Sequence, residues 1–201
     1  MPKRFYSLVG AVLVALLAGC ASRVVDPAVY VLRSEPPLAQ APDLTLDSPP
    51  WQLMLPVRVP DYLDRLELLL PQGANIVQAD GNHLWAEALS RSVPRVLTQD
   101  LRTLRGAGSL WTAPLGGVVV QGQLRVELLA LDVDAGGRSV TLQARWSTHP
   151  LGTAAAPTPQ PSAHTTRLTV PSTGPTAVAL VTAHRLALWQ LAQAIARTLP
   201  P

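Results

Sequence analysis

The sequence predicts an α+β domain: a mostly antiparallel sheet with two main helices packed on one face. Two stretches with period-two alternation point to the sheet. Leu124, Val126, Leu128 and Ala130 alternate with Arg125, Glu127 and Leu129, and Val140, Leu142, Ala144 and Trp146 alternate with Thr141, Gln143 and Arg145. Asp134-Ala135-Gly136-Gly137 between them has turn chemistry, so the pair forms a hairpin. Two apolar stripes at helical spacing point to the helices, and the order strands, helix, strands, helix favours hairpins over βαβ crossovers.

Taken in order, Tyr30-Val31-Leu32 makes a short first strand, and the prolines between Pro36 and Pro50 make an extended tether or a surface crossing. Gln52–Val59, bounded by Pro56 and Pro60, is a strand that is broken or lies at an edge. Leu66–Leu70, the turn Gly73-Ala74-Asn75 and Asn75–Gln78 suggest a hairpin. Trp85, Leu89, Val93, Val96, Leu97, Leu101 and Leu104 define a first helix, capped by Asp80 or Asn82 and ended by Gly106 and Gly108. Pro94 within it predicts a kink or a helix in two pieces. Gly108–Ala113 and Val118–Val133 are strand-like, Thr148–His164 is a low-complexity loop, and Thr165–Val170 returns to the sheet. Thr173-Gly174-Pro175 opens the second helix, striped by Val178, Val181, Leu188, Leu191, Ile195 and Leu199 and stopped by Pro200.

The amino terminus adds a targeting signal. Lys3 and Arg4 precede the apolar run Phe5–Leu17, which is too short to span a bilayer. It ends in Leu17-Ala18-Gly19-Cys20, which resembles the bacterial lipobox and contains the only cysteine. The resemblance implies cleavage before Cys20, a thioether-linked diacylglycerol on its sulfur and acylation of the new amino terminus. Two or more acyl chains hold a protein firmly to a membrane. Ala21 takes the place of an inner-membrane retention aspartate, which favours the outer membrane. The expected organisation is a signal peptide over 1–19, a lipidated Pro-rich tether with a short strand over 20–50, and one α+β domain over 51–201.

Loss of 1–19 removes the only lysine and one arginine, so the high sequence pI of 9.6 partly belongs to the discarded segment. The body is near neutral, with no basic stripe to support nucleic-acid binding. A single cysteine excludes an intramolecular disulfide and a thiolate metal cluster. His83, His149, His164 and His184 are scattered without metal-ligand spacing; His184 suits a packed or rim position, and His149 and His164 flank the loop in solvent. There is no nucleophile elbow and no phosphate-binding glycine loop. Asp61 and Asp64 are close enough to raise acid–base work, but a turn cap and a pairing with Arg65 or Arg58 account for them better. No catalytic residue, metal or cofactor is expected. Trp85 and Trp146 fall on apolar faces, whereas Trp51, Trp111 and Trp189 suit a core or an interface equally.

Pro60-Asp61-Tyr62-Leu63-Asp64-Arg65, then Trp85-Ala86-Glu87-Ala88-Leu89 and Val93-x-x-Val96-Leu97-x-x-x-Leu101, resembles the PqiC-type auxiliary lipoproteins of ABC-like transport systems. The lipobox, Tyr30-Val31-Leu32, the Arg125–Val133 and Trp146 strands and the closing Ala-rich helix also fit, though Ala88 replaces a proline. The resemblance implies an outer-membrane lipoprotein on the periplasmic face. It would dock or scaffold the tunnel of an MCE-domain (PqiB-like) lipid transport system, with identical subunits in a ring and no catalytic role. Asp61, Tyr62, Leu63, Asp64 and Arg65 are the candidate partner interface, or else a strand-end turn with Tyr62 packed. The alternative function is a lipoprotein that carries a lipid between sheet and helices, suggested by the Val178–Leu199 stripe and Leu66–Leu70.

Overall fold

A computed structural model describes residues 26–34, 50–73, 76–113, 117–151 and 160–200. The signal segment, Leu17, Ala18, Gly19 and Cys20, the run 35–49, the turn residues 74–75 and loop residues 152–159 lie outside the described residues. The elements are β1 (Ala28–Tyr30), β2 (Trp51–Leu53), a 3-10 turn (Asp61–Leu63), β3 (Glu67–Pro71), β4 (Val77–Trp85), α1 (Leu89–Arg105), β5 (Leu110–Trp111), β6 (Gly122–Val133), β7 (Ser139–Pro150), β8 (Ser162–Pro171) and α2 (Ala177–Ala196). They form a three-stranded sheet in the order β1-β4-β3 and a five-stranded sheet in the order β5-β2-β6-β7-β8.

The fold is α+β, and its long ladders are antiparallel: β3 with β4, β6 with β7, and β7 with β8. The expectation of hairpins alone is corrected by three short parallel pairings, β1 with β4 and β2 with both β5 and β6. The β2-to-β5 connection contains α1, so it is a crossover. Because β2 has a neighbour on each side, it is broken rather than peripheral. The chain leaves the ladder at a cis Leu55–Pro56 bond and regains it as a bridge from Arg58 to Glu127.

Inward residues of the five-stranded sheet, among them Leu53, Leu124, Val126, Val140, Leu142 and Ala144, join Leu97 and Leu101 of α1 and Leu188 and Leu191 of α2 in one core. The helices pack on each other, and α2 also lies over β7 and β8. The register of β6 slips between Leu128 and Ala130, so Leu129 is exposed while Ala130 and Leu131 are both buried. At the other end of β6, Gly122 faces the buried Trp51 ring, whose Cζ3 lies 2.4 Å from where a Cβ would stand. Only glycine lets strand and indole approach this closely.

Several boundaries differ from the expectation. The first helix begins at Leu89, because β4 continues through Trp85, held between β3 and β1. Asp80 and Asn82 lie in that strand and cap nothing; the Asp80 carboxylate pairs with His83 instead. Pro94 sits inside a continuous helix, so the two-piece alternative is not realised. Gly106, at φ 99°, ends α1 as expected. β7 and β8 run on to pair Thr148 with Ser162, which shortens the connecting loop. His164 therefore lies on a strand, stacked on Trp146 at 5.4 Å. On α2 the Thr176 side chain caps the first turn by accepting from Ala179 N. Val178 is 64% exposed and leaves the buried stripe, which Leu180 joins instead. Trp51 and Trp189 are both fully buried, which settles both as core; Trp111 is partly exposed and lies beneath the Arg102 guanidinium.

Candidate functional site

Pro60–Arg65 folds as a clasp over one end of the body. Leu63 is buried. Tyr62, 41% exposed, donates from its hydroxyl to Asp132 Oδ1 at 2.7 Å. Burial first, and then that bond, push the phenol well above its usual range. Asp64 Oδ1 accepts the backbone N–H of Ser90 at 3.1 Å. It thus supplies the cap that Ala88 lacks and places a carboxylate at the positive end of α1. The pairing of Asp64 with Arg65 or Arg58 expected from sequence does not form. Asp61 and Arg65 point to solvent, so the clasp brings all five candidate residues together but commits three of them to the body.

The segment after β1 is sewn to the same body. Ala86 N donates to Tyr30 O at 2.7 Å, and Arg95 Nη2 donates to Leu32 O at 2.9 Å while pairing with Glu87. Leu32 is buried, and the Ser34 hydroxyl donates to Asp100 Oδ1. Burial pushes the Asp100 carboxyl up to about 6, against the Ser34 bond and the nearby Arg185 charge. A folded-state value above the unfolded 3.8 means that stability from this group is complete below pH 3.8 and is lost as pH rises through 6. His184 opposes it: burial lowers its pKa, so the folded state resists its protonation below the ordinary 6.5. A difference between variants isolates Asp100. Asp100→Asn is expected to unfold at a higher temperature than the wild type at pH 7.5, and the gap is expected to close by pH 4. A gap that is constant with pH in thermal-melt measurements contradicts this reading.

The outer face of the five-stranded sheet carries an open trough of about 530 Å³. The kinked Met54-Leu55-Pro56 forms one wall, and Arg58, Arg125, Glu127, Arg145, Ser147 and Thr165 line it. Arg145 Nε donates to Glu127 Oε2 at 2.6 Å. The sequence shows Arg125, Glu127 and Arg145 as outward partners of the core residues. It does not show that Arg58 joins them, because a parallel bridge across a proline kink has no local signal.

The space between sheets and helices is filled by comparison. Beside His184, Trp85 and Leu68 there is a cavity of about 30 Å³, room for about one water. His184 Nδ1 donates to Leu180 O at 2.7 Å, and its ring meets Trp85 edge-on at 5.4 Å. Among the described residues, no three His, Asp or Glu side chains cluster as metal ligands, and no helix is long and apolar enough to cross a membrane.

Solved structures share this fold. An uncharacterised protein superposes with a TM-score of 0.67 at 19% identity, covering 86% of this chain and 98% of its own. A Xanthomonas campestris protein of the DUF330 family superposes with a TM-score of 0.60 at 14% identity, covering 84% of this chain and 92% of its own. No curated protein matches the sequence. The stretch from Tyr30, the last residue of β1, to Ala196 at the end of α2 holds every later strand of both sheets and both helices, and over these residues, 30–196, the sequence matches the family of ABC-type transport auxiliary lipoprotein components, to which the chain belongs.

Proposed function

We propose that this chain is a lipid-anchored docking subunit of an MCE-type intermembrane lipid transport system, held by Cys20 at the periplasmic face of the outer membrane. Its family membership supports the transport role, and the lipobox supports the anchor. The observation that carries docking over lipid carriage is the filled interior. Pockets that enclose a small ligand measure about 300–1,000 Å³, and the cavity between sheet and helix is about 30 Å³. A carrier would need acyl-chain space where Trp85, Leu89, Leu131 and His184 already meet.

The chain from Cys20 to Ala28 can reach at most about 29 Å when fully extended. With β1 fixed to the body, the anchor therefore holds the domain close to the bilayer, where Asp61 and Arg65 of the clasp remain for partners. The subunit would act through this surface, in a ring of identical copies against an MCE-domain protein. Affinity capture of the tagged full chain from solubilised native envelopes is expected to co-purify an MCE-domain protein, with Cys20 carrying lipid by intact mass. Capture without an MCE-domain protein, or an unmodified Cys20, overturns the proposal.

A further inference from the structure

The trough on the outer sheet face has a charge pattern that docking leaves unused. Directly paired residues project from the same face of a sheet, so the register places its side chains in rows. Arg58 pairs with Glu127, Glu127 with Arg145, and Arg145 with Thr165. In the next row Arg125 pairs with Ser147, and Ser147 with Ala163. Arg58 and Arg125 are therefore diagonal neighbours, about 7–8 Å apart at the backbone and within reach of one oxyanion.

Glu127 is the one carboxylate lining the trough, and it is engaged by Arg145. Among the described residues, Arg58 and Arg125 form no ion pair. The result is two uncommitted guanidinium groups in a concave site, on a body that is otherwise near neutral and has no lysine after Lys3. Guanidinium forks suit the paired oxygens of a phosphate, and they shed water more readily than an ammonium does. The Thr165 hydroxyl adds a short donor to the floor, beside a Ser147 hydroxyl that is shared with His149 Nε2, and Leu55, 51% exposed, gives the wall an apolar surface beside the charge.

We propose that this trough binds a phosphate-bearing headgroup, with the phosphate between Arg58 and Arg125 and an adjoining apolar portion against Met54 and Leu55. Its volume is that of a small-molecule site, which favours a headgroup over an acidic protein segment. The site goes beyond the docking role and does not depend on an MCE-domain partner.

The test titrates the full chain, in neutral detergent, with dioctanoyl-phosphatidylglycerol, glycerol 3-phosphate and phosphate-free dioctanoylglycerol, followed by calorimetry. The phosphate-bearing lipid is expected to bind saturably, and Arg58→Gln/Arg125→Gln to weaken it at least tenfold without lowering the melting temperature. Arg167→Gln, on the same sheet face but outside the trough, is expected to leave binding unchanged. Equal affinity for glycerol 3-phosphate supports the phosphate site and assigns it to soluble esters; preference for the lipid assigns it to a membrane headgroup. Binding that survives the double substitution, falls equally with Arg167→Gln, is matched by dioctanoylglycerol or is absent altogether overturns the proposal. So does a glutamate-rich peptide that displaces the lipid at lower concentration, which would make the trough a protein interface.

Discussion

Replacing Trp51 with alanine is expected to cost about 3–5 kcal/mol, the range for removing a large aromatic side chain from a core. Trp51 is 1% exposed and occupies β2, the strand that joins β5 to β6. Its ring fills the space opposite Gly122, a residue with no side chain of its own to occupy the gap that removing the indole opens. The indole N–H has no acceptor among the described residues, so part of what tryptophan contributes in volume is offset by an unsatisfied donor. Trp51→Phe is therefore expected to cost distinctly less than Trp51→Ala. Chemical denaturation of the two variants with unchanged m-values would check the ordering; equal losses would show that the ring does not support the sheet.

Arg105→Ala is the second large effect, at about 3 kcal/mol. The Arg105 guanidinium is buried at the end of α1 and donates to the carbonyl oxygens of Ala196 at 3.2 Å, Leu199 at 3.1 Å and Pro200. These are terminal acceptors of α2 and its exit, groups that a helix end leaves without internal partners. A cation there also meets the negative end of the α2 dipole. Burial lowers the Arg105 pKa; the two terminal nitrogens are held by the three carbonyls, while Nε has no acceptor among the described residues. Truncation removes about 1 kcal/mol for each of three bonds and leaves the acceptors half covered. Hydrogen exchange is expected to accelerate first at the last turn of α2. Uniform acceleration across the domain with no local excess would argue against this clamp.

Where local pattern carried information, the sequence and the fold agree. The β6–β7 hairpin was legible because its alternation and its turn lie within a few residues of each other. The second helix was legible as well, apart from Val178, which shares the spacing of the stripe but sits in the exposed first turn. β4 was obscured for a physical reason. Asp80, Gly81 and Asn82 have turn chemistry, and the strand forms because β3 and β1 flank it from either side. The parallel pairings of β1 and β2 were invisible for the same reason, since their partners lie far along the chain. The motif Pro60–Arg65 was visible, but its main work was not. Asp64 caps a helix that begins many residues later, and Tyr62 reaches Asp132, 70 residues further along the chain. The trough needs the Arg58 bridge, which becomes apparent only once the register is known.

The stitched segment from β1 to Ser34 has a mechanical corollary. A pull directed along the β1 axis, parallel to β4, would load the interstrand bonds together in shear instead of peeling them one at a time. Behind that ladder, Arg95 grips the backbone at Leu32 and Asp100 grips Ser34, both from the stiff rod of α1. Tension arriving at the amino end would thus pass into a helix and the sheet beneath it, and the domain would bear a steady tug as a single rigid piece.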